Sequence, residues 1–101
     1  MNPLYADFEN SLKEVFLVLR PTFTATGQEP IEEIVLNPIY KKLIIIDRTL
    51  LVPEVFEAGY LLWEEVGRDI EKFFNLFELK VIDGQMRLEI IDKDGEDDKT
   101  E

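Results

Sequence analysis

The strongest constraint in this 101-residue sequence is a pair of alternating segments joined by Asp83-Gly84. Asp-Gly suits the positive backbone angles of a type I′ turn, which joins two antiparallel strands through only two residues. Ile82 must then lie opposite Gln85, and this pair sets the register of every residue that follows. We therefore predict a β-hairpin over residues 78–91.

This register separates apolar from charged residues. One face carries apolar pairs, whereas on the other face like charges lie directly opposite each other and unlike charges lie on the diagonals. The apolar pairs are Leu79 with Leu88 and Val81 with Met86, and the charged pairs are Lys80 with Arg87 and Glu78 with Glu89.

The N-terminal segment predicts a helix over residues 3–20. Asn2 is a good helix cap, Pro3 suits the first helical position, and Arg20-Pro21 ends the pattern. The alternation after Val15 also permits a strand over 15–25, but the helical stripe is longer. The stripe consists of Leu4, Tyr5, Phe8, Leu12, Val15, Phe16 and Leu19, with Leu17 on the opposite side.

The middle of the chain predicts a loop and two strands. Residues 22–30 are rich in turn formers, and residues 31–36 are ambiguous between a strand and one helical turn closed by Asn37-Pro38. We interpret 31–36 as a strand. Residues 43–47 (LIIID) are rich in β-branched isoleucine and apolar on both faces, which is typical of a buried central strand.

Apolar residues at three- and four-residue steps predict a second helix over 53–75. Glycine inside a helix costs about 1 kcal/mol relative to alanine. Gly59 lies within the apolar arc, so we expect another backbone to approach it closely. Gly67 lies at the edge of that arc, and the pattern offers no comparable reason for it.

Together these segments predict an α+β fold of order α-β-β-α-β-β. In it, two amphipathic helices pack on one face of a small, mainly antiparallel four-stranded sheet. The segment from strand 43–47 to strand 78–82 is expected to form a right-handed crossover. Residues 1–91 are predicted to be a single domain, and residues 92–101 a disordered acidic tail.

Composition excludes several classes of chemistry. The chain has no cysteine and no histidine, which removes thiol nucleophiles, zinc-thiolate sites and the side chain that titrates nearest neutrality. The net charge is -11, of which residues 1–91 carry -7, and this charge repels nucleic acid and anionic lipid. We expect no cofactor, no metal, no direct nucleic-acid binding and no membrane span. We also expect a cytoplasmic location and no enzymatic activity.

Asp47 is the carboxylate that most invites a functional interpretation. It would lie at the C-terminal end of strand 43–47, where open α/β sheets often bind ligands. A turn residue that bonds nearby backbone or pairs with Arg48 is the simpler interpretation, since one Asp without a second ligand specifies no metal site.

The outward face of helix 53–75 is the candidate protein-binding site. Acids early in a helix complement its dipole, and Glu64 to Arg68 is a favourable i, i+4 pair, which explains most of the charge pattern. An apolar Leu61 within an acidic arc has the composition of a protein contact with a charged rim. The candidate residues are Glu54, Glu57, Tyr60, Leu61, Glu64 and Glu65.

Three classes of function are consistent with the sequence. The leading hypothesis is a small acidic non-catalytic protein-binding module, such as a regulator, adaptor or accessory subunit, whose partner is another protein with a basic surface. The alternative is a phage or mobile-element inhibitor whose carboxylates imitate nucleic acid and block a basic groove on a host protein. A divalent-metal carboxylate enzyme ranks third, and some of the apolar surface is also suited to closing a homodimer.

Overall fold

The computed structural model describes residues 3–22 and 30–91, with the side chains of residues 5–22 and 30–91. Within these ranges the chain forms five α-helices, one 3₁₀ turn and one two-stranded antiparallel sheet. In chain order they are α1 (Pro3–Leu19), the 3₁₀ turn (Arg20–Thr22), α2 (Ile31–Ile34), α3 (Pro38–Leu51), α4 (Pro53–Glu65), α5 (Ile70–Phe74), β1 (Phe77–Ile82) and β2 (Gln85–Ile90).

The first helix confirms the prediction from its apolar stripe. It ends at Leu19, whose carbonyl accepts a hydrogen bond from the Thr22 hydroxyl at 2.7 Å. Phe8 and Leu12 are fully buried, whereas Leu17 lies on the opposite side and is 68% exposed. The predicted loop lies mostly outside the described residues, as does the predicted tail over 92–101.

Both strands predicted in the middle of the chain are wrong, because these residues are helical. Residues 31–36 contain α2, and residues 43–47 lie inside α3. Asn37-Pro38 begins α3 instead of ending a strand, since the Asn37 side-chain oxygen accepts hydrogen bonds from the amides of Ile39 and Tyr40 at 2.8 and 3.3 Å. A run of branched apolar residues suits a buried helix face as well as a strand, so the apolar pattern alone does not separate the two.

The second predicted helix is two helices separated by a turn. Residues 53–65 form α4, residues 70–74 form α5, and Gly67 between them has φ +71°. The Asp69 side chain then caps α5 by accepting from the amides of Glu71 and Lys72 at 3.0 and 3.2 Å. The periodicity continued across the break because the apolar residues on both sides face the same core.

The hairpin confirms the predicted register in full. Ile82 pairs with Gln85, Leu79 with Leu88 and so on to Phe77 with Ile90. The predicted four-stranded sheet and its crossover are nevertheless wrong, because α3 occupies the place of the central strand and the described residues contain only β1 and β2. The α+β class is correct, but helices form most of the core.

Aromatic rings fill the core where α1, α4, α5 and β1 meet. The Phe8 ring packs at 5.1–5.6 Å from the rings of Phe56, Trp63 and Phe73. Gly59 faces this cluster, and a Cβ there would meet Thr49 Cγ2 at 3.4 Å and Phe8 Cζ at 3.5 Å. The neighbours of Gly59 are therefore side chains, not the close backbone that the sequence suggested.

Candidate functional site

The outward face of α4 carries the residues that the sequence predicts to bind a protein. Gly59 and Trp63 turn one side of this helix into the core, so residues two positions before or after them point outward. Four exposed side chains recur along that outward side at helical spacing. They are Glu54, Glu57, Leu61 and Glu65.

Leu61 lies at the centre of this outward face with 67% of its surface exposed. It helps to line a shallow, open depression of about 500 Å³ together with Ala58, Leu62, Glu65 and Ile90. The depression is therefore mainly apolar, with a carboxylate at its border. Leu17 on α1 is equally exposed, and what distinguishes Leu61 is the group of apolar neighbours that line this depression with it.

Ile90 is the residue of this surface that sequence reasoning missed. It belongs to β2, lies opposite Phe77 in the hairpin and is 51% exposed. One further step of the predicted register would have placed it on the apolar face of the hairpin. Its approach to Leu61 and Leu62 depends on how the hairpin packs against α4, which no local pattern encodes.

Tyr60 faces away from the apolar depression. Its ring packs edge-on against Tyr5 at 4.8 Å and lies 6.1 Å from Trp63. Desolvation of the half-buried Tyr60 side chain raises the pKa of Tyr60, and the nearby Glu64 carboxylate raises it further. The structure therefore joins Tyr60 to the aromatic core at the α1–α4 contact.

Glu64 is engaged within the chain as the i, i+4 pattern predicted. Its carboxylate lies 2.9 Å from Nε of Arg68, whose guanidinium is 5.5 Å from the centre of the Trp63 ring. By contrast, the structure shows no ion pair for Glu54, Glu57 or Glu65 within the described residues. These three carboxylates remain available to an external cation.

Asp47 does not lie at the end of a strand, because α3 continues through it to Leu51. It is exposed and borders a cleft of about 230 Å³ between α3 and the hairpin, near Arg48 and Met86. Asp47 therefore does not occupy the strand-end position at which open α/β sheets bind ligands.

The described residues contain neither a metal-binding cluster nor a membrane-spanning helix. No group of three or more acidic, histidine or cysteine side chains is arranged to hold a metal ion. No helix in the same ranges combines the length and apolar character needed to cross a membrane.

Comparison with known proteins adds no relative to this description. No protein family, no curated protein and no solved structure matches the chain.

Proposed function

We propose that this chain is a small non-catalytic protein-binding module, acting as a regulator, adaptor or accessory subunit through the outward face of α4. The observation that carries the proposal is the 67% exposure of Leu61 within an apolar depression. Interfaces commonly have an apolar centre that excludes water and a polar rim. The proposed site keeps all six residues named from the sequence, with Tyr60 and Glu64 supporting the face from its inner side.

The negative charge around Leu61 indicates which charged groups a partner would present. Glu54, Glu57 and Glu65 make no ion pair within the described part of the chain, so a partner can reach them at no expense to existing pairs. An apolar contact flanked by lysine or arginine would match this surface, because opposite potentials steer encounter and set orientation. The partner we propose is a protein with such a basic-rimmed apolar surface in the same cytoplasmic compartment.

A matched pair of variants tests the proposal. Leu61→Asp places a charge at the centre of the face, and Leu17→Asp makes the same change on α1 at nearly equal exposure, 68% against 67%. We expect both variants to keep the native melting temperature, because both side chains are exposed. Leu61→Asp should abolish capture of a partner from cell lysate, whereas Leu17→Asp should leave that capture intact. Equal capture by native protein and Leu61→Asp would overturn the proposal.

The salt dependence of capture separates the proposal from the nucleic-acid mimic. A mimic that occupies a basic groove through carboxylates should weaken steeply between low and physiological salt, because several charge contacts are screened. The central Leu61 interrupts the acidic stripe of α4 and so favours a contact with an apolar component. Such a contact should persist as salt rises and should be lost with Leu61→Asp.

A further inference from the structure

The outer edge of β2 carries unsatisfied backbone groups in a regular row. The amide of Ile91 donates to the carbonyl of Leu76 at 2.6 Å, which identifies residues 76 and 91 as a hydrogen-bonded pair. Because such pairs alternate along an antiparallel ladder, the N–H and C=O groups of Met86, Leu88 and Ile90 point away from β1. The sheet within the described residues ends there, since β2 has no second neighbour.

The other edge of the hairpin is less open to an additional strand. Helix α3 packs against β1, and Lys41 of that helix is close enough to Glu78 for the two charges to interact. The free edge of β2 is therefore the better template. Exposed edges of this kind are usually paired, covered or protected by charge, because they attract other strands.

The sequence of β2 is complementary to itself. If a second copy of β2 pairs antiparallel about a two-fold axis through Leu88, Met86 of each chain lies opposite Ile90 of the other. On the outward face, Arg87 of each chain then lies directly opposite Glu89 of the other, and the pair of chains gains two attractive contacts. A shift of the axis by one residue would instead oppose Arg87 to Arg87 or Glu89 to Glu89.

The charges of β2 are available for this pairing. Within its own hairpin Arg87 lies opposite Lys80, a repulsive arrangement, and no carboxylate of the described residues forms an ion pair with it. Glu89 forms an exposed pair with Lys80 at 3.2 Å. Arg87 of a second copy can therefore reach Glu89 at the surface. Arg87 thereby gains a carboxylate partner that the described residues of its own chain do not provide.

We propose that the chain forms a symmetric homodimer in which the β2 strands of two copies pair antiparallel about Leu88. The apolar face of each hairpin continues across the axis through the Leu88 side chains. The half-exposed Ile90 comes to lie against Met86 of the second copy. The occupant of this edge is thus a second copy of the chain, because charge, register and apolar pattern all match the strand to itself.

A charge exchange provides the test. Arg87→Glu alone and Glu89→Arg alone each create two like-charge contacts across the axis, so each variant should be monomeric where the native chain is dimeric. An equimolar mixture of the two variants restores both attractive contacts and should form a heterodimer. Sedimentation equilibrium or native mass spectrometry at physiological salt measures these masses, with salt screening the -11 charge of each chain.

The same variants separate loss of the dimer from loss of the fold. Arg87→Glu makes the directly opposite contact with Lys80 attractive and the more distant diagonal contact with Glu78 repulsive, so its melting temperature at dilute concentration should stay close to that of the native chain. A native chain that stays monomeric as concentration rises would overturn the proposal. So would single variants that dimerise like the native chain, or a mixture that stays monomeric.

Amide hydrogen exchange locates the contact. The amides of Met86, Leu88 and Ile90 should exchange more slowly as protein concentration rises, because they gain acceptors on the second copy. The outward amides of Leu79 and Val81 on β1 are the internal control and should be unaffected. Slowing at Leu79 and Val81 instead would overturn the assignment of the edge.

Discussion

The backbone amide of Arg68 donates a hydrogen bond to the carbonyl of Trp63 at 2.8 Å, and this bond ends α4. The amide of Gly67 donates to the carbonyl of Glu64 at 3.0 Å, which completes a Schellman motif. Gly67 and Arg68 both adopt positive φ, +71° and +62°. The turn allows α5 to leave the axis of α4 and place Phe73 and Phe74 in the core.

Gly67→Ala should destabilise the fold by about 1 kcal/mol, because the left-handed conformation is unfavourable for a residue with a Cβ. Apart from the adjoining residues of the chain, no atom lies within 4 Å of the position that this Cβ would take, so the effect comes from the backbone alone. Urea unfolding measures it. A variant as stable as the native chain would show that the turn does not need a glycine.

Gly59→Ala should have the opposite sign and raise stability by about 0.5–1 kcal/mol, because alanine loses less backbone freedom in a helix. The new Cβ would lie 3.4–3.6 Å from Thr49, Phe8 and Phe73, which is ordinary van der Waals contact. Gly59→Leu is the matched control and should destabilise, because a larger side chain would overlap Phe8. Loss of stability in Gly59→Ala would mean that these side chains cannot accept a methyl group.

Asn37→Ala should destabilise by about 1 kcal/mol, because the amides of Ile39 and Tyr40 lose the side-chain oxygen that accepts their hydrogen bonds. Asn37→Asp is the control, since aspartate caps helices as well as asparagine does. Urea unfolding of the two variants measures the difference. Equal loss in both would show that something other than the cap is responsible.

The pKa of Tyr60 should lie above the usual tyrosine value of about 10, because the half-buried side chain is partly desolvated and Glu64 lies beside it. The unfolded chain then releases this proton at lower pH than the folded chain does. Stability from this residue is therefore complete below pH 10 and declines as pH rises towards the folded pKa. Absorbance at 295 nm follows the titration, and its difference from Tyr60→Phe isolates Tyr60.

Glu64→Gln extends this prediction. Removing the carboxylate should lower the pKa of Tyr60 towards its usual value, because one of the causes of the upward shift is lost. Glu57→Gln, on the outward side of α4, is the control and should leave the titration unchanged. An unchanged titration in Glu64→Gln would assign the whole shift to burial.

The errors in the predicted fold have one physical origin. Ile45 and Ile46 are fully buried in α3, and a run of branched apolar residues looks the same in a buried helix as in a buried strand. The side-chain cap on Asn37 distinguishes them, but Asn-Pro also commonly marks the end of a segment. Similarly, Gly67 ends α4 although the apolar periodicity continues, because both helices pack on one core.

The sequence predicted the position of a candidate-site residue only where the periodicity of its own helix was sufficient to place it. The helical arc of 53–65 is sufficient to place Leu61 outward, and the structure finds it exposed. Tyr60 required knowledge of α1, because Tyr5 draws its ring inward. Ile90 required the packing of the hairpin near α4, since a residue 29 positions away leaves no periodic trace in the helix.

Local interactions by themselves determined the N-terminal helix, the hairpin and the register in which its strands pair. Each of these depends on contacts between residues close in sequence, such as Ile82 with Gln85 across a two-residue turn. Only the tertiary structure decided that 38–51 is a helix, that 53–75 is broken at Gly67 and that Ile90 lies near Leu61. The physical reason is that burial depends on which segments meet in the core. A pattern of apolar residues specifies that a face is buried, but it does not specify the segment against which that face packs.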